Sequence, residues 1–506
     1  MKSEQPQTKE VEDLKRIVFL IIASLMVIGL VLPGMASAAT GTIKVIIAGP
    51  TDYVQGIDMV RGAQLAANAI GSFIVNGTSY NFTIIECNTN EISDSAGAGL
   101  KLQAKLIANL DCKLVLGGFR TEGVNTEIPI VLNRTPLFMI VGAATNTLLA
   151  TYAVPPAYNP PVGVPYYNAT GNASSAGYKY VFRASPFNSS FLLTAMFQML
   201  KMVTDNVRLS LGWPAYNASD NVTPNANKTV RIGIFAESLE WCAPMVSAFQ
   251  TRIPTYGLLM GWSLGLVKTV SDQAGSSIVT PALNALKTDK CHVILTILSG
   301  PVGTVFSTKK GELGIPAIAA GINVLGQQST FWEDTEGYCE TDILLGTWAP
   351  GVNQTVRTAP FLAAFQAAYG TFPSYTAATY DVIYNLKAAI ENKGWNGTDA
   401  STVQASVDAL IPYFEDPANN QTGTSGTNAF YPMWDGTTMR YSSSYGQVLP
   451  ALNTAQLNAL YGVPGYVPPG NWSASAQNYT MPSFTSHDLV YGTSWVTGIF
   501  VQWRKV

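Results

Sequence analysis

Charge is what this sequence has least of. Of 506 residues only 29 are Lys or Arg and 32 are Asp or Glu, 12% in all, about half the share of an average soluble domain. Such a surface must hydrate through Asn, Thr, Ser and Tyr, an unusual dress for a cytoplasmic protein. Net charge is −3 and no basic cluster follows residue 16. The electrostatic footprint of phosphate-backbone binding is missing, which excludes nucleic acid as a partner. Two histidines, His292 and His487, give neither an HExxH pair nor a zinc cluster. With no G-x-S-x-G elbow, no Walker loop and no G-x-G-x-x-G after a strand, nothing recommends an enzyme. Cys87, Cys112, Cys242, Cys291 and Cys339 stand at least 25 residues apart, which excludes CxxC sites. Their odd number leaves at least one thiol free or intermolecular. Cys112 and Cys291 open apolar strands and are read as buried structural residues.

What is present is apolar substance. At 47% hydrophobic residues and a mean hydropathy of +0.17, the chain can fill two cores of ordinary size. Residues 17–36 form an apolar run preceded by Lys15 and Arg16 and followed by Ala36-Ser37-Ala38, the signature of an export signal. The run is also long enough to span a bilayer, so residues 1–38 are either a signal peptide or an N-terminal membrane anchor. Both readings place everything after residue 38 outside the cell. No cysteine stands directly after the run, which excludes lipoprotein anchoring. Fourteen Asn-x-Ser/Thr sequons follow, crowded between residues 168 and 229, as on exposed glycosylated loops.

From Ile43 onwards short apolar runs alternate with amphipathic segments. Strands are expected at 43–49, 80–86, 113–117 and 136–141, with helical faces Met59, Ala63, Ala66, Ile70 and Leu100, Ala104, Ile107, Leu110 between them. A second series runs through 230–236, 292–297, 315–320 and 342–347, and helices follow at 361–369 and 376–392. Strands apolar on both faces and separated by helices imply parallel doubly wound sheets. Residues 151–177 and about 415–485 are rich in Pro, Gly and Asn and read as loops.

Several of these segments, in order, resemble the leucine/isoleucine/valine-binding family of type I periplasmic binding proteins. PTDYVQG with GAQLAANAI is similar to the family's opening loop and helix, and KLVLGGFRTEG to its strand and ligand-facing loop. GYKYVFRASPFNSS resembles its crossover between lobes, SYTAATYDVIYNLKAAIENKG its Tyr-rich helix, and VQWRKV its closing strand. The tail SHDLVYGTSWVTG is similar to archaeal members. The resemblance implies two α/β lobes with doubly wound parallel sheets joined by a multi-strand hinge. The first lobe would hold residues 41–183 and about 349–430, the second 184–348 and about 431–506. It implies a monomeric receptor without cofactor that captures a small polar solute for an ABC permease. The solute would be a branched-chain or other amino acid, or an amide-like compound. The alternative is a ligand sensor or surface-layer protein on the same fold.

Carried over by position, Gln55, Thr121, Ala143 and Thr145 would form the ligand shell of the first lobe, and Glu240, Trp241 and Asn323 that of the second. Hydroxyls and backbone N–H groups at helix starts suit an acid group. An aromatic face at Trp241 would bury apolar ligand surface. Members usually carry an acidic residue facing the ligand ammonium where this chain has Asn323, and a neutral amide pairs weakly with a buried cation. Either Glu240 supplies the charge or the solute is neutral. Judged alone, Thr121 and Thr145 read equally as helix caps, Arg120 as a solvated loop charge, and Arg183 as a structural pair.

Overall fold

The computed structural model describes residues 41–145, 148, 180–185, 189–397, 399–428, 430 and 499–504. The export segment, the 151–177 loop and most of 415–485 lie outside the described residues. No described helix is long and apolar enough to cross a membrane.

Strand β1 (Gly41–Gly49) shows why the sheet forms. Ile43, Val45 and Ile47 pack into one apolar cluster and Ile46 and Ala48 into another, so the strand is buried on both faces as a parallel strand must be. It lies between β3 (Thr78–Asn88) and β4 (Leu114–Gly117), parallel to both. With β2 (Phe73–Val75), β5 (Leu137–Val141) and β6 (Val181–Ser185) the order is β2-β3-β1-β4-β5-β6, and only β2 runs antiparallel. Helix α1 (Val54–Ile70) buries Met59, Ala63, Ala66 and Ala67 and stops at Gly71, whose φ of 60° suits glycine.

The second sheet consists of β7 (Val230–Glu237), β8 (Trp262–Val270), β9 (Val293–Leu298), β10 (Ile318–Asn323), β11 (Ile343–Gly346) and a closing strand (Ile499–Gln502). From one edge to the other the order is closing strand, β11, β10, β9, β7, β8. Only the closing strand runs antiparallel. The chain passes from the first sheet to the second through a long helix (Ser189–Ser210). It returns after β11, where a 3₁₀ turn (Tyr375–Ala378) and helix (Thr379–Lys393) pack on α1. A Cβ on Gly62 would meet the Ala377 carbonyl at 2.3 Å, so that return depends on a glycine. The fold is the expected pair of parallel α/β sheets.

Some local readings are corrected. In the helix Ala98–Ala108 the buried stripe is Ala98, Leu102 and Leu106, while Leu100, Ile107 and the following Leu110 are exposed. That helix carries two apolar stripes, and only one faces the sheet. The strand read at 315–320 lies at Ile318–Asn323, because Pro316 has no N–H for the ladder. Residues 417–428 hold a 3₁₀ turn and a small hairpin rather than bare loop. All five cysteines are buried and unpaired.

Candidate functional site

In both sheets the strand order reverses next to the first strand, at β1/β4 and at β7/β9. Loops leaving the carboxyl ends of parallel strands diverge at such points and open a crevice. The two crevices face each other and line a common, partly open cavity, the usual setting of small-molecule sites at such switch points. Phe119, Arg120 and Thr121 follow β4, and Gly142 and Ala144 follow β5. From the second lobe come Trp241 after β7, Ser299 after β9, and Ile322 and Val324 of the β10 edge. Gln327, Thr347 and Tyr375 add polar atoms, and Leu192 and Leu345 apolar ones. Among the described residues no Asp or Glu lines the cavity.

Each lobe holds its loop with a buried carboxylate. In the first, Glu91 accepts the N–H groups of Phe119 (3.0 Å) and Arg120 (2.9 Å). The chain reaches that position through Gly117, where a Cβ would sit 1.7 Å from the Ala48 carbonyl oxygen. In the second, Glu237 accepts from the N–H of Ser299 (2.8 Å), the Ser299 hydroxyl (2.7 Å) and the N–H of Gly300 (2.6 Å). Three donors favour the ionised form, yet burial outweighs them and pushes the Glu237 carboxyl up to about 7. Glu127 lies beneath the first loop with neither oxygen hydrogen-bonded. Burial, then the charge of Glu91, raises it well above the ordinary glutamate range.

The lobes also grip each other. Arg120 Nη2 lies 2.5 Å from Asp272 Oδ2, with side chains 5% and 11% exposed. Gln55 Nε2 donates to the Ser299 carbonyl (3.2 Å), the Glu240 N–H donates to Glu122 (2.8 Å), and Asn125 donates to Glu240 (3.0 Å). Tyr375 ties the hinge to both walls: its hydroxyl donates to the Gly142 carbonyl (3.2 Å) and its N–H to Gln327 (3.0 Å).

Of the residues singled out in the sequence, Thr121 and Trp241 line the cavity. The Thr145 hydroxyl stands 2.9 Å from that of Thr121, one layer behind, and Gln55 reaches the wall through Ser299. Ala143 is buried in the first-lobe core and its N–H donates to Gly118. Glu240 is exposed at the rim. Asn323 turns away: Ile322 and Val324 face the cavity, so strand alternation sends Asn323 to the other side. There its Nδ2 donates to the Gly303 carbonyl at 3.1 Å and its Oδ1 has no hydrogen bond. Arg120, read as a solvated loop charge, is a buried member of an inter-lobe ion pair. Arg183 is fully buried and donates to the carbonyls of Ala144 and Thr145. Sequence reasoning missed Phe119, Ser299, Gln327 and Tyr375, which carry no local signal beyond lying after strands. Among the described residues no group of three or more His, Cys, Asp or Glu is placed to hold a metal.

No family model matches the chain, and neither does any curated protein. Solved structures do. The branched-chain amino acid transporter substrate binding protein LivJ from Streptococcus pneumoniae, in complex with isoleucine, is 13% identical, with 77% of this chain and 92% of that one covered at a TM-score of 0.53. A solute binding protein of an ABC transporter from Rhodopseudomonas palustris, in complex with p-hydroxybenzoic acid, is 15% identical, covering 77% and 88% at 0.54. The leucine binding protein LivK from Thermotoga maritima is 14% identical, covering 77% and 91% at 0.53. At these identities the likeness establishes the two-lobed fold of type I periplasmic binding proteins.

Proposed function

We propose that this chain is the extracytoplasmic solute-binding receptor of an ABC importer, with lobes 41–183 plus about 349–430 and 184–348 plus about 431–506. The observation that carries the reading is a cavity walled by both lobes at the carboxyl ends of their sheets. A solute touching both walls favours the closed form because it binds that form better, and a permease can read the closure. The role is capture rather than catalysis. Export, with the first 38 residues cleaved or retained as an anchor, follows from the apolar run and fits the charge-poor composition.

The lining argues about the solute. Phe119, Trp241, Ile322, Val324 and Leu345 suit an apolar body, whereas Thr121, Ser299, Gln327 and the Nε of Arg120, a buried donor without a hydrogen bond, suit a polar head. An ammonium group taken into this cavity would meet no carboxylate among the described lining residues, and its lost hydration would go uncompensated there. Isoleucine and p-hydroxybenzoic acid, held by two proteins of the same fold, are both small carboxylates with an apolar body, and the second has no ammonium. The chain is accordingly a receptor for small, largely apolar carboxylates or amides. Calorimetric titration with branched aliphatic and aromatic carboxylates, set against the corresponding amino acids, tests this. Binding of the former group supports the reading. Binding of amino acids alone contradicts the solute class and brings Glu240 back as the ammonium partner.

A further inference from the structure

Among the sequon asparagines that the structure describes, two sit on turns at the surface, one on each lobe. Asn76 forms with Gly77 the two-residue tip of the β2–β3 hairpin, at φ 51° and 80°, the geometry of a type I′ turn. Asn217 caps a turn in the connection before β7: its Oδ1 accepts the N–H of Ser219 at 3.0 Å, which leaves Nδ2 free. Both are exposed, and neither sequon hydroxyl, Thr78 nor Ser219, is engaged by another described residue.

At four other sequons the motif is tied into the fold. The Asn81 side chain accepts from Thr42 inside the sheet, where β1 pairs beside it. The hydroxyls that complete three other sequons are committed: Thr135 donates to Gln404 (2.8 Å), Thr229 to Ser263 (3.0 Å) and Thr355 to the Gly423 carbonyl (2.6 Å). A transferase reads the asparagine amide together with this hydroxyl, so these sequons, at Asn133, Asn227 and Asn353, would have to unpick native contacts to be modified.

We infer that Asn76 and Asn217 are N-glycan acceptors, an inference that rests on the export reading above. In the reaction the bond between an anomeric carbon and the phosphate of a lipid-phosphate-activated oligosaccharide breaks, and the phosphate leaves with the electron pair. Asn Nδ2 bonds to that carbon and gives up one proton. Two features support the choice. Both sites precede the first residues of parallel strands, β3 and β7, and so lie at the poles opposite the cavity, where sugars leave the cleft free. Apolar side chains left in water also stand near both in sequence: Ile74 (69% exposed) two residues before Asn76, Leu209 (75%) eight residues before Asn217 and Val222 (92%) five after it. A glycan lying over them supplies the hydration that a chain with 12% charged residues lacks.

The test is intact-mass and glycopeptide mass spectrometry of the full chain purified from the extracellular or envelope fraction of its own host. Sugars on Asn76 and Asn217 are expected. N76Q and N217Q should each remove one glycan mass step, and the double variant both, with solute affinity unchanged. An exported chain of unmodified mass at these two positions, or one carrying sugar at Asn81, Asn133, Asn227 or Asn353 instead, overturns the assignment while leaving export intact. A chain recovered only from the cytoplasm overturns export first and this assignment with it.

Discussion

Removing Asp272 should open the clamp rather than unfold it. In the closed form Asp272→Ala leaves the Arg120 guanidinium, 5% exposed, without its ion-pair partner and with only the charges of Glu91 and Glu237 within reach. Orphaning one member of a buried ion pair costs about 3 kcal/mol. When the lobes part, Arg120 returns to water and the penalty vanishes, so it falls on closure and hardly on folding. A cost of that size shifts the closed-to-open ratio roughly a hundredfold. Dyes on the two lobe poles, read by single-molecule energy transfer, would report that ratio directly. The double variant Arg120→Ala, Asp272→Ala has no orphaned charge and should recover much of the closure, giving a coupling energy of the two sites. If the single variant closes as fully as the parent, or the double variant opens further, the ion pair is not the inter-lobe latch inferred from its geometry.

Three other outcomes are expected. Glu237 has a folded-state pKa of about 7 against an ordinary 4.5, so the native protein binds a proton between these values that the unfolded chain does not. Its contribution therefore favours the folded state at low pH and is lost as pH rises through this window, by up to about 3 kcal/mol. Chemical denaturation of Glu237→Gln across pH 4.5 to 8 should give a visibly flatter stability profile; an unchanged profile contradicts it. Trp241→Ala should weaken solute binding by about 1.5–2 kcal/mol, roughly twenty-fold, as expected for an aromatic anchor, with calorimetry reading affinity and a melting curve confirming the fold. Asn323→Asp should lower the melting temperature, since it buries a carboxyl beside the Gly303 carbonyl, and should confer no affinity for amino acids; a gain of such affinity would place that side chain in the cavity after all.

The fold was legible because parallel strands buried on both faces leave unbroken apolar runs, as at Ile43 to Ala48, and intervening helices leave their own period. Edge strand β8, half-buried along most of its length, leaves no such run and escaped notice. The site was legible only where position after a strand sufficed, as for Thr121 and Trp241. Arg120 could not be read correctly, because its burial depends on Asp272, 152 residues away in sequence. Asn323 illustrates parity: neighbours on a strand face opposite ways, and family register alone does not say which of Ile322, Asn323 and Val324 looks into the cavity.

The central claim, a solute held between the two lobes, is tested most directly by native mass spectrometry of the protein from its own host, with the small molecule identified after denaturation. The account expects one equivalent of a largely apolar carboxylate or amide, lost in Trp241→Ala. Protein that carries no small molecule, binds none of the carboxylates, amides or amino acids offered, and self-associates would contradict it and favour a structural role at the cell surface.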